Sequence, residues 1–197
     1  MIRIFLVLPG ATDLDSQGRI KGSLDVPMNS DGDAQARRTA DELSQEEIDL
    51  VYSSPCLSAR QTAEQLSHDG AIKIKVMDEL RNLDRGLWHG KLIEELKESQ
   101  PRVYRQWSEQ PETVQPPGGE TLEFANKRIA RILRKLLRRH KDGTIAMVVP
   151  EPVASLLRSQ LENVEIGNLW KVECRCGSWE TIEVGPDTPS PGISANT

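Results

Sequence analysis

Apolar and polar positions along the chain switch repeatedly between a strand period and a helix period. Ile2 to Leu8 is an apolar run of strand length, and Asp31 to Leu43 places Ala34, Ala36, Ala40 and Leu43 on part of one helical face. Asp49 to Ser53 then reads as a strand, Ser58 to Ser67 as a helix and Ile72 to Val76 as a third strand. From Leu92 to Glu109 the pattern is helical but is interrupted at Pro101, which predicts two short helices because an internal proline removes a helical hydrogen bond. Thr121 to His140 is a long helix opening after Gly119-Glu120, with Leu122, Ala125, Ile129, Ile132, Leu133 and Leu136 as its apolar stripe. Thr144 to Val149 is a short apolar strand, Pro152 to Leu161 a helix, and Val172 to Cys176 with Trp179 to Val184 a hairpin turning around Gly177. Strand and helix in turn predict an α/β domain with a mostly parallel sheet covered on both faces, its ligands at the carboxyl ends of the strands.

Composition narrows the picture. The 197 residues suit one domain, expected over 1–184, and Gly185 to Thr197, with three prolines and almost no apolar side chains, is expected to be a flexible tail. The first apolar run is too short for a secretory core or a membrane span, and an odd count of three cysteines argues against a disulfide framework, so a reducing cytoplasm is the expected location. Cys174 and Cys176 would share one face of a strand, but the three histidines offer no ligand spacing, and neither a metal nor another cofactor is expected.

A net charge of −5 excludes a surface built throughout for nucleic acid. Against that background, residues 127–141 carry eight Lys and Arg and no acid. A solvated helix end with cations complementing its dipole explains the last turn but not all eight charges. Arg131, Arg134, Lys135 and Arg138 are therefore the candidate contacts for an acidic protein or a polyanion, with no membrane and no specific nucleic acid expected; homo-oligomerisation is left open.

The segments leaving the predicted strand ends form an ordered series. Leu8-Pro9-Gly10-Ala11-Thr12-Asp13 is followed by Gly18-Arg19-Ile20-Lys21-Gly22, by Asp25-Val26-Pro27, and by Gly32 with Gln35-Ala36. Ser53-Ser54-Pro55, Ala59 with Gln61-Thr62-Ala63, Gly86-Leu87-Trp88-His89-Gly90 and Pro117-Gly118-Gly119-Glu120-Thr121 complete it. From about Ile2 to Leu157 this series resembles the histidine phosphatase superfamily, the phosphoglycerate-mutase-like proteins.

The resemblance implies a three-layer α/β/α sandwich in which a histidine after the first strand attacks phosphate. Arginines and a second histidine hold the phosphoryl oxygens there, and a glutamate protonates the leaving oxygen. Carried over position by position, those roles fall on Leu8, Pro9, Ser58, Asn82 and Glu151, and an asparagine common in the first loop falls on Asp15. Proline within a chain has no nucleophilic nitrogen and asparagine has no acidic proton. The expectation is thus a catalytically inactive member acting by binding, with a pocket less positive than its relatives' or even negative, suited to a cation held by Asp13, Asp15, Asp84 and Glu151. The alternative is a phosphomonoesterase or mutase with a relocated site, in which Lys21, Arg60 and Arg85 rebuild an anion pocket and Cys56 or Ser58 serves as nucleophile. The ligand-binding candidates are Asp15, Lys21, Arg85 and Glu151.

Overall fold

In a computed structural model, which describes residues 1–68, 70–166, 169 and 175–185, the described residues form five strands and seven α-helices. The strands are β1 (Ile2–Val7), β2 (Leu50–Ser53), β3 (Ile74–Val76), β4 (Gly143–Val148) and β5 (Trp179–Val184). The helices are α1 (Asp13–Ser16), α2 (Ser30–Glu42), α3 (Leu57–Leu66), α4 (Ile93–Ser99), α5 (Pro101–Glu109), α6 (Leu122–Arg139) and α7 (Val153–Glu162).

The sheet order is β3-β2-β4-β1-β5. β1, β2, β3 and β4 are mutually parallel, and β5 runs antiparallel along β1, with Ile4 opposite Ile182. β5, the second arm of the expected hairpin, pairs with β1; of the first arm, Val172 to Cys176, residues 172–174 lie outside the described residues, as do 186–197 of the expected tail.

Both faces of the sheet are buried, which is why β1 and β4 read as continuous apolar runs. Ile4, Leu6, Ile145 and Met147 face a core shared with Ile129, Leu133 and Leu136 of α6 and Leu157 of α7. The intervening Phe5, Val7, Ala146 and Val148 face Ala40 of α2 and Ala59, Ala63 and Leu66 of α3. A third cluster, around Trp88, Trp107 and Leu122, fills the space under α4 and α5.

Pro101 separates α4 from α5 as the pattern predicts, with Gln100 at the junction of both. α6 opens at Thr121, whose hydroxyl accepts from Phe124 N at 3.2 Å, and buries Arg128 on its inner side. There Arg128 meets Glu120 at 2.7 Å and donates to the carbonyls of Glu79 and Asn82, pinning the 79–82 segment to the helix.

Candidate functional site

The carboxyl ends of β1 and β4 open into one pocket, lined by Leu8 and Pro9 beyond β1 and by Pro150 and Glu151 beyond β4. Asp15, Arg19, Lys21 and Gly22 line it from the loop after β1, and Arg175 with Cys176 from the turn before β5.

Local backbone bonds hold these segments together. Leu8 N donates to Ser178 O at 2.8 Å and Gly177 N to Pro9 O at 2.9 Å, which ties the turn bearing Arg175 to the end of β1. Gly10 N donates to Thr62 Oγ1 at 3.0 Å. Gly10 and Gly32 are close enough that a Cβ on Gly10 would strike the Gly32 carbonyl, so the start of α2 packs directly on the loop. Ile20 and Lys91 are joined at 2.9 Å and Ile93 N reaches Gly18 O at 3.0 Å, bringing Ile93 to the pocket.

Lys21 is the best anchored cation. Its Nζ lies 3.0 Å and 2.8 Å from the two carboxylate oxygens of Asp15, and both side chains are only about a tenth exposed, at 13% and 10%. Asp15 is itself fixed by Thr12, whose backbone N and hydroxyl each donate to Oδ2 at 2.7 Å. The ammonium carries three donors, so one remains for a ligand oxygen. Arg19 is held by the carbonyl of Gly90 at 2.7 Å and by Gln17 at 3.0 Å.

Glu151 stands opposite as a partly buried carboxyl. Its Oε2 accepts from Ser155 N at 3.1 Å and Ser155 Oγ at 2.8 Å, a cap on the first turn of α7. Burial pushes this carboxyl above the ordinary glutamate range, partly offset by the Ser155 bonds and by the charges of Arg158 and Arg175.

Four of the expected site positions therefore converge with Lys21: Leu8, Pro9, Asp15 and Glu151. Others lie elsewhere. Ser58 is buried in α3, 3.8 Å from Cys56 Sγ. Asn82 is buried and structural, its amide donating to Gly22 O at 2.8 Å and its oxygen accepting from Leu83 N. Arg85 is fully buried with its guanidinium 4.4 Å over the Trp107 ring, one layer behind Gly22 and outside the pocket lining. Arg60 pairs with Asp25 at 3.9 Å and, like Arg85, is not among the residues lining the pocket.

The four carboxylates expected around a cation are not all brought together. Asp13 is exposed and Asp84 caps Gly86 N at 2.8 Å, so neither lines the pocket. Among the described residues no group of three or more His, Cys, Asp and Glu side chains gathers. The lining carries three cations, Arg19, Lys21 and Arg175, and two carboxyls, Asp15 and Glu151. Arg175 escaped the sequence reading because it reaches the pocket through the sheet edge, far along the chain from β1.

The match to the Histidine phosphatase superfamily (branch 1) covers residues 4–192, and the chain belongs to that family. It is 29% identical over 184 residues to Phosphoserine phosphatase 1 of Hydrogenobacter thermophilus, covering 93% of this chain and 87% of that protein. To the Adenosylcobalamin/alpha-ribazole phosphatase of Escherichia coli it is 24% identical over 183 residues, covering 93% and 90%. The structure of Bacillus stearothermophilus YhfR superposes with a TM-score of 0.85 at 23% identity, covering 100% of this chain and 98% of that one, which shows the shared fold. The expectation of an inactive binding protein is overturned by these relatives, which are named phosphatases. Among the described residues no helix is long and apolar enough to cross a membrane.

Proposed function

We propose that the chain is a phosphomonoesterase that works in the pocket between the ends of β1 and β4 through Lys21, Arg19, Arg175 and Glu151. The observation that carries this reading is the placing of an anchored cation, Lys21, in the same pocket as a carboxyl that burial favours in its neutral form, Glu151. The first supplies charge to phosphoryl oxygens, and the second supplies a proton to a leaving alkoxide.

Peptide-bonded Pro9 offers no nitrogen lone pair, so water is the attacking group. Water adds to phosphorus as the ester P–O bond breaks, and the neutral Glu151 gives its proton to the departing oxygen. Loose transition states of this kind need little help from a base, and the proton lost by water goes to a phosphoryl oxygen. The products are an alcohol and dihydrogen phosphate, which returns one proton to the Glu151 carboxylate.

The pocket is small, about 30 Å³, and open to solvent, with Ile93 and Arg175 in its lining available to the alcohol part of the ester. The family relatives are named for phosphoserine and α-ribazole phosphate, and both belong in the first panel of esters.

The test is steady-state hydrolysis of that panel by wild type, Glu151→Gln and Lys21→Ala, each checked for folding. Turnover lowered about a hundredfold in both variants supports the proposal. No turnover of any ester, or turnover untouched by both changes, overturns it.

A further inference from the structure

The cations of α6 divide sharply. Arg128 is turned inward and paired, whereas Lys127, Arg131, Arg134, Lys135, Arg138 and Arg139 are exposed. Lys127 is engaged by Glu123, and Lys135 lies 3.8 Å from Glu79. Arg131, Arg134 and Arg138 form no ion pair among the described residues, and the Nε groups of Arg134 and Arg138 donate back to helix carbonyls at 3.3 and 3.2 Å. At about 100° per residue Lys127, Arg131, Arg134 and Arg138 fall in one narrow sector, stepping along the axis by about 4.5 to 6 Å. The exposed ring of Phe124 lies on the same line. Like charges at such spacings destabilise an isolated helix, and among the described residues no carboxylate offsets those of Arg131, Arg134 and Arg138.

From this stripe we infer that the outer face of α6 docks an acidic helical segment of another protein. Two features favour a narrow acidic segment over nucleic acid or a membrane. Carboxylates repeating every three to four residues on a helix match the cation steps, with Phe124 free to cover an apolar residue at one end. Eight of the chain's 25 Lys and Arg fall within 127–141 and none of its 30 Asp and Glu, so the rest of the chain is acidic on balance and disfavours a broad polyanion. A segment as narrow as a helix stays on the stripe, and charge beyond it is screened within about 8 Å at physiological salt.

The surface is separate from the pocket. None of the residues lining the pocket lies on α6. Docking there leaves the pocket open, and the inference holds whether or not the proposed hydrolysis does.

The test uses a fluorescein-labelled helical peptide with Glu at every third and fourth position, titrated with the full chain and read by anisotropy. Three proteins are compared: wild type, a quadruple variant with Arg131, Arg134, Lys135 and Arg138 changed to Gln, and a control with Arg37, Lys73, Arg102 and Arg105 changed to Gln. The expected result is binding by wild type and control that weakens steeply with salt, with about a tenfold or greater loss in the α6 variant and an unchanged melting temperature. Equal loss in the control, no binding at low salt, or tighter binding of duplex DNA or anionic vesicles than of the peptide would each overturn the inference.

Discussion

The pocket and the outer face of α6 are both rich in cations, yet the structure treats those cations in opposite ways. At the pocket Lys21 is clamped by both oxygens of Asp15, and Arg19 is tied to Gly90 and Gln17. On α6, Arg131, Arg134 and Arg138 bond to no carboxylate among the described residues. A clamped cation is oriented before a ligand arrives, which is what transition-state stabilisation requires. An unclamped cation sacrifices orientation for reach, which suits a salt-dependent encounter with a partner.

The largest effect that sharpens this contrast lies at the one α6 cation treated like a pocket residue. Glu120→Ala leaves Arg128 buried without its carboxylate, and chemical denaturation should register a loss of about 3 kcal/mol or more. A loss comparable to that of a surface substitution would mean that burial on α6 does not separate the two classes of cation.

Next in size is ligand stabilisation of the pocket. Phosphate at a hundredfold excess over its Kd should stabilise the folded chain by about 2.7 kcal/mol beyond an equal ionic strength of chloride. Lys21→Ala should abolish that shift in a thermal scan, whereas the α6 quadruple variant should retain it.

A smaller effect, of known sign, comes from Glu151. Its carboxyl titrates higher in the folded chain than unfolded, so the folded state binds the extra proton. As pH rises from the ordinary glutamate range through the raised value, wild type should lose stability relative to Glu151→Gln, and below that window the two curves should run parallel. Denaturation midpoints across that pH series measure it. Smallest of all is the α6 quadruple variant itself, whose stability should stay within about 1 kcal/mol of wild type because exposed charges contribute little.

Much of the frame was legible in the sequence. The runs of β1 and β4 gave two strands buried on both faces, and Pro101 marked the boundary of α4 and α5 within a residue. The four residues of α1 were not legible, since Asp13–Ser16 is too short to display a helical period and rests on the Thr12 cap. The site was half legible. Asp15 and Glu151 were found by carrying the family's pattern onto the sequence, and Lys21 by its nearness to the replaced positions, but Arg175 and Cys176 arrive through the pairing of β5 with β1, a contact that no local pattern encodes. Arg85 and Asp84 were candidates by residue type, and the fold places the Arg85 guanidinium over Trp107 and Asp84 at the turn of Gly86.

The central claim, that Glu151 is the acid of a phosphomonoesterase pocket, is tested most directly by the pH dependence of kcat/KM for a hydrolysed ester in wild type and in Glu151→Gln. Wild type should show activity falling on the alkaline side as the Glu151 proton is lost, at a pH above the ordinary glutamate range. The variant should show low activity without that limb. An alkaline limb that persists unchanged in Glu151→Gln, at wild-type rate, would contradict the assignment.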